Sequence, residues 1–139
     1  MHSATMKITP QTTHEKGMPG SVTIEDVNFK STQNIDVRFD LNRKVLVTAI
    51  SILSVSVDTL SGGATLQVDE VNAAGSVQNA MVTSGALSNS DDTGNVQRLT
   101  LVANYEIMTS GNMLRLAITA GATATTDNKS VLIQYIYVD

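Results

Sequence analysis

Cysteine is absent from the chain, which excludes a disulfide framework, a zinc ribbon and a thiol nucleophile. Tryptophan is absent as well, and aromatic residues make up 4% of the sequence, so the stacking platforms that glycosidases usually carry are scarce. Both histidines, His2 and His14, and both prolines, Pro10 and Pro19, fall within residues 1–20. A Ser-His-Asp triad needs a histidine fixed on a scaffold to take the serine's proton, and neither histidine stands in a patterned segment. Nucleophile-elbow, P-loop and dinucleotide-binding glycine patterns are missing. No apolar run approaches the roughly 18–20 residues of a membrane span, since the longest candidate, residues 45–57, is broken by Thr48, Ser51, Ser54 and Ser56. The first residues, MHSATMKITPQTTHEKG, lack an apolar h-region, so a secretory signal is not expected and synthesis in the cytoplasm is. Charge is sparse too: Asp, Glu, Lys and Arg make up 16% against about 25% in ordinary soluble domains. The nine basic residues are scattered singly apart from Arg43-Lys44, and the net charge is −4. Nucleic-acid binders cluster their cations to displace counterions from phosphate, so nucleic acid is not an expected partner.

Ser, Thr, Asn and Gln take the place of the missing charge. A surface of short hydroxyl and amide side chains is neutral and cheap to order. It suits repeated protein–protein contact better than long Lys and Glu side chains, which are depleted at interfaces. A length of 139 residues fits one domain with a single core.

Residues 1–20 carry no sustained apolar alternation. They are expected to form an extended N-terminal arm or a frayed terminus, with Met18-Pro19-Gly20 as the turn into a single domain over 21–139. From Ser21 onward the dominant period is two, the signature of strands with one buried face. Val22, Ile24 and then Val27, Phe29 shift phase near Asp26. Ile35, Val37, Phe39 and Leu41 alternate with polar residues. Residues 45–57 slip phase between Ala49 and Leu53, which predicts a bulge or bend there. Leu66 and Val68 alternate after Gly62-Gly63, and a short strand is expected around 76–83. Loop residues dominate 88–95. A strand is expected over Leu99, Leu101, Ala103, Tyr105 and Ile107, and another over Leu114, Leu116, Ile118 and Ala120 after the turn Thr109-Ser110-Gly111-Asn112. The last strand, residues 131–138, is apolar on both faces except at Gln134, so it is central in a sheet or covered by a partner. The sum is all-β: an antiparallel β-sandwich, jelly-roll-like, of about seven or eight strands with no convincing helix.

Candidates for chemistry are few. Asp69-Glu70 and Asp91-Asp92 are adjacent acidic pairs, and Asp58 and Asp127 lie in predicted turns. Glycosidases hold two carboxyls across a sugar, but Asp69 alternates outward from Leu66 and Val68, and solvent exposure is the simpler reading. The loop 91–95 offers oxygen ligands for a hard cation but lacks EF-hand spacing; a solvated turn accounts for it. No catalytic, cofactor-binding or metal-binding residue is therefore expected. Tyr135 and Tyr137 share one face of the last strand, where interface and core packing explain them equally.

The succession VLVTAISILSVSVDT, SGGATLQVDE, a loop-rich middle and MTSGNMLRLAITAGATATTDNKSVLIQYIYVD resembles the small β-sandwich structural proteins of tailed-phage virions, found as capsid decoration (cement) proteins and head-fibre bases. The resemblance covers about two-thirds of the domain and rests on pattern, not on a fixed motif. It implies a non-enzymatic protein of the capsid surface, often trimeric, that clamps neighbouring subunits of the major capsid protein. The arm, with Pro10 and His14, would then be a docking element, and Tyr135 and Tyr137 candidate interface residues. The alternative is a carbohydrate- or receptor-binding module of a fibre or tail, with its site in the loops.

Overall fold

A computed structural model describes residues 5–8, 17–29, 31–40, 42–53, 65–82, 96–102, 107–119 and 128–139. These residues form ten strands: β1 (Thr5–Ile8), β2 (Pro19–Asn28), β3 (Gln33–Arg38), β4 (Val45–Leu53), β5 (Thr65–Val71), β6 (Val77–Ala80), β7 (Val96–Arg98), β8 (Ile107–Met108), β9 (Met113–Thr119) and β10 (Asn128–Tyr137). One sheet has the order β1-β3-β9-β5-β6; the other runs β2-β10-β4-β7, with β8 also paired to β4. The two sheets face each other as a β-sandwich. Their inner faces supply one core, from Ile35, Val37, Leu66, Val68, Leu114, Leu116 and Ile118 on the first sheet and Ile24, Val47, Ile50, Ile133 and Tyr135 on the second. Among the described residues all strand pairings are antiparallel except β1 with β3, which is parallel.

The phase changes in the sequence are the bulges of the second sheet. On β2, register advances from Lys129↔Val27 to Val131↔Ile24, so Glu25 and Asp26 together oppose Ser130. Asp26 takes a positive φ of 55°, which turns the strand's apolar phase from Val22 and Ile24 to Val27 and Phe29. On β4 the shift lies between Val47↔Tyr135 and Ala49↔Gln134, which leaves Thr48 as the extra residue. That is just before the expected stretch, and it passes the buried set from Val45 and Val47 to Ile50 and Ile52. An aspartate tolerates left-handed backbone better than most residues but still carries a Cβ. Asp26→Gly is therefore expected to stabilise the protein by about 0.5–1 kcal/mol, and Asp26→Val to destabilise it by about 1–2 kcal/mol. Coincident urea midpoints for the three proteins would show that the bulge stores no strain.

Three other expectations change in detail. The turn into β2 is at Gly17, whose φ is +79° and whose N–H donates to the Tyr137 carbonyl at 2.8 Å. Pro19 and Gly20 are already strand, as an edge position allows for proline. Of the expected strand over 99–107, residues 99–102 are not continuous strand, and Ala103 and Tyr105 lie outside the described residues. The chain leaves the second sheet after Leu99, whose N–H donates to the Ile50 carbonyl at 2.8 Å, and Leu101 makes an isolated bridge to Val82 beyond the end of β6. It rejoins the second sheet at Ile107, opposite Leu46. That crossing ties the two sheets together along one side.

The last strand is apolar on both faces because it is central: β10 lies between β2 and β4. Tyr135 and Tyr137 are 1% and 0% exposed. Tyr135 meets Phe39 edge-on with ring centroids 4.9 Å apart, and Tyr137 at 5.6 Å, closing one end of the core with an aromatic cluster. The Tyr135 ring lies over Gly20, its register partner. A Cβ at Gly20 would stand 2.8 Å from the ring's Cζ. Gly20→Ala is thus expected to cost about 1–3 kcal/mol by forcing the ring from its place. Calorimetry tests this, and an unchanged Tm would mean that the strand yields instead.

Candidate interaction surface

The outer faces of the two sheets differ in chemistry, and the difference follows from strand alternation. On the first sheet, register sets Asp36, Arg115 and Asp69 side by side across β3, β9 and β5. The Arg115 guanidinium grips the Asp36 carboxylate with both forks, Nε to Oδ1 at 2.7 Å and Nη2 to Oδ2 at 2.9 Å, while Nη1 donates to the Gly75 carbonyl at 3.1 Å. The bond to Asp36 raises the Arg115 pKa above its ordinary value against the opposing effect of burial, and the charges of Asp36 and Asp69 add to the rise. Gly75 is presented by the β5–β6 turn. In that turn the Asn72 side chain accepts from the N–H groups of Ala74 and Ser76 at 3.0 and 2.9 Å. The next row holds Asn34, Ala117 and Gln67. This face is charged and internally bonded.

The outer face of the second sheet is neutral over most of its width. Its cross-strand rows are Pro19–Ile136–Leu46, Ser21–Gln134–Ala49 and Thr23–Leu132–Ser51. Leu46, Leu132 and Ile136 are half-buried, and Ser21, Thr23 and Gln134 are exposed. Such a face can be covered by another protein without stripping water from a charge, the step that makes buried ions costly. Of the large apolar side chains most exposed among the described residues, Ile107 and Val96 extend this face opposite Leu46 and Leu53, with Arg98 opposite Ser51 as a charge at its margin, whereas Met18 precedes β2 and Val77 lies on β6.

The adjacent acidic pair Asp69-Glu70 does not form a two-carboxylate site. Asp69 lies on the outer face, where it accepts from Gln67 Nε2 at 2.9 Å. Glu70, one residue on, points the other way and is 1% exposed. Its Oε1 accepts from the Thr109 N–H at 2.9 Å and from Asn112 Nδ2 at 2.8 Å, and its Oε2 from Asn79 Nδ2 at 2.9 Å. The carboxylate pins the turn before β9. Alternation carried one residue past Asp69 would have placed Glu70 inside. Among the described residues, no three His, Cys, Asp or Glu side chains come together to hold a metal ion, and no helix is long and apolar enough to cross a membrane.

Of the candidate interface residues, Tyr135 and Tyr137 lie inside the chain's own core. Burial raises the Tyr135 pKa above its ordinary value, and the neighbouring Tyr137 adds to the rise. The Tyr137 hydroxyl accepts from the Asp40 N–H at 3.1 Å, and Arg43 lies over its ring at 4.0 Å, so both tyrosines serve as packing of this end of the sandwich. Pro10, His14, His2, the pair Asp91-Asp92 with its loop, Asp58 and Asp127 lie outside the described residues.

No protein-family model matches the sequence, and no curated protein is similar to it in sequence. Similarity is found at the level of the fold. A chain in the acid-stable capsid of the Helicobacter pylori bacteriophage KHP30 superposes with a TM-score of 0.51 at 11% identity, over 91% of this chain and 90% of that one. A chain in the capsid of Ralstonia phage GP4 does so with a TM-score of 0.51 at 15% identity, over 94% of this chain and 97% of that one. The class defined is thus an all-β sandwich whose whole architecture recurs in chains of phage capsids.

Proposed function

We propose that this protein is a non-enzymatic structural component of a tailed-phage virion. On this reading it is a capsid decoration protein that binds the shell of the major capsid protein and associates with itself as a trimer. It is made in the host cytoplasm and resides on the capsid surface. The observation that carries the reading is the correspondence with two phage-capsid chains over at least nine-tenths of the length of both partners. The matched unit is nearly the whole of this chain and nearly the whole of each capsid chain. The largely neutral outer face of β2, β10 and β4 supports it, as does the charge-poor, hydroxyl-rich composition. The alternative, a carbohydrate- or receptor-binding module, would place its site in loops that lie mostly outside the described residues.

Two measurements test the proposal. Antibody-labelled virions viewed by electron microscopy should carry label over the head shell; label confined to tail or fibres would remove the decoration role, and unlabelled virions the virion role itself. Light scattering on the purified protein should give about three times the mass of one chain, and a monomer at micromolar concentration would remove self-association.

A further inference from the structure

We propose that β1 is an exchangeable strand: in the self-associated protein, residues 5–8 of one copy pair with β3 of its neighbour. The inference rests on the self-association just proposed and adds the element that carries it. Three observations lead there.

First, β1 is the parallel strand of a sandwich whose other described pairings are antiparallel. It lies at the edge of its sheet with β3 as its partner, in the register Thr5↔Asn34, Met6↔Ile35, Lys7↔Asp36 and Ile8↔Val37. A strand joined to its partner by a tight hairpin cannot leave without opening the turn, whereas a parallel strand always arrives through a longer connection. Second, the acceptor does not need β1 for its own position. On its other side β3 is paired to β9 from Gln33 to Arg38, and the two strands are riveted by the bidentate bond between Asp36 and Arg115. Without β1, β3 would present a ready edge, the kind that invites strand addition.

Third, the eight residues between Ile8 and Gly17 give β1 the reach to meet a second copy. Ile8 is level with Val37 near the end of β3. Gly17 bonds the Tyr137 carbonyl, and the Tyr137 hydroxyl in turn reaches Asp40, just beyond the same end of β3. Ile8 and Gly17, which flank residues 9–16, therefore lie toward the same end of the sandwich. An extended chain of that length reaches roughly 30 Å, enough to deliver β1 to a neighbouring copy. The occupant is fixed by the structure: β1 is the sequence that this edge is seen to accept, and every copy carries it. Exchange conserves the backbone bonds, so copies held side by side would link at little cost, which is how strand swapping builds oligomers.

Because the chain has no cysteine, the variant Thr5→Cys/Asn34→Cys reports on this pair alone. Oxidised in the full-length oligomer and run on a denaturing gel without reductant, it should give covalent multimers that collapse to single chains on reduction. Their yield should be unchanged by dilution before oxidation. A closed single chain from an intact oligomer would overturn the exchange while leaving self-association standing; a monomeric protein would overturn both. Met6→Pro/Lys7→Pro supplies the second reading, and decides if neither covalent product forms. It removes the amide hydrogens of both central residues, one of which points at β3 in any parallel ladder. The dissociation constant of the oligomer should rise by about tenfold or more, and an unchanged constant would overturn the proposal.

Discussion

Replacing Arg115 by alanine is expected to destabilise the protein by about 2–4 kcal/mol, because it leaves the Asp36 carboxylate buried without its counter-charge. Asp36 is 1% exposed and lies on the outer face of the sheet, covered by the guanidinium that binds it. The Arg115 side chain is 18% exposed, so solvent can reach the vacated site in part. That places the effect somewhat below the 3–5 kcal/mol typical of a fully interior pair. The Gly75 carbonyl loses its donor in the same change, which should loosen the β5–β6 turn as well. Chemical denaturation followed by far-UV circular dichroism measures the loss. Removing both charges together, as Asp36→Leu/Arg115→Met, should restore most of it, since a buried pair contributes little over well-packed apolar residues. An alanine variant within about 0.5 kcal/mol of the parent would mean that water or another cation replaces the guanidinium without penalty.

The sandwich itself was legible because period-two alternation is imposed by the pleat and needs no knowledge of partners. The two bulges were legible for the same reason. A residue that shifts the apolar phase must be extra, and Asp26 and the stretch after Val47 announce themselves that way. The second bulge was placed slightly late because Ala49 and Ser51, small enough to be covered by their neighbours, are buried along with Ile50 and Ile52. Burial of both faces erases the alternation from which the position is read. The start of the strand expected over 99–107 was interrupted by a tertiary cause. Leu99 and Leu101 do pack against the core, but around them the chain crosses from one sheet toward the other, which an alternating pattern cannot distinguish from a straight strand.

Partnerships distant in sequence were not legible. Nothing near Asp36 identifies Arg115 as its partner, because register between β3 and β9 is decided by the apolar set Ile35, Val37, Leu114 and Leu116, and the charges follow it. The pairing of β1 with β3 was equally hidden, since four residues without sustained alternation carry too little pattern to read as a strand. The tyrosines could be read either way, because a ring with a polar tip suits a core end and an interface alike. What places them in the core is burial, at 1% and 0% exposed, with the Tyr137 hydroxyl meeting the Asp40 N–H.

Glu70 shows the same logic at one side chain, and Glu70→Leu is expected to cost about 2–4 kcal/mol. The carboxylate accepts three hydrogen bonds in a buried place, from the Thr109 backbone, Asn112 and Asn79. A leucine matches its bulk but strands those donors, each of which carries a desolvation penalty of about 1–3 kcal/mol when left unmade. Asn79 is half-buried on the edge strand β6 and can turn to water, so the penalty falls chiefly on the Thr109 N–H and on Asn112. Glu70→Gln separates charge from geometry. Its amide oxygen can still accept the pair at Oε1, while its NH₂ faces the Asn79 donor, so a smaller loss of about 1–2 kcal/mol is expected. The site of damage is as specific as its size. The Thr109 amide should lose hydrogen-exchange protection in the leucine variant before the centre of β9 does, because the turn is released first and the strand remains held by β3 and β5. Equal loss along β9 would mean that Glu70 supports the sheet as a whole and not the turn.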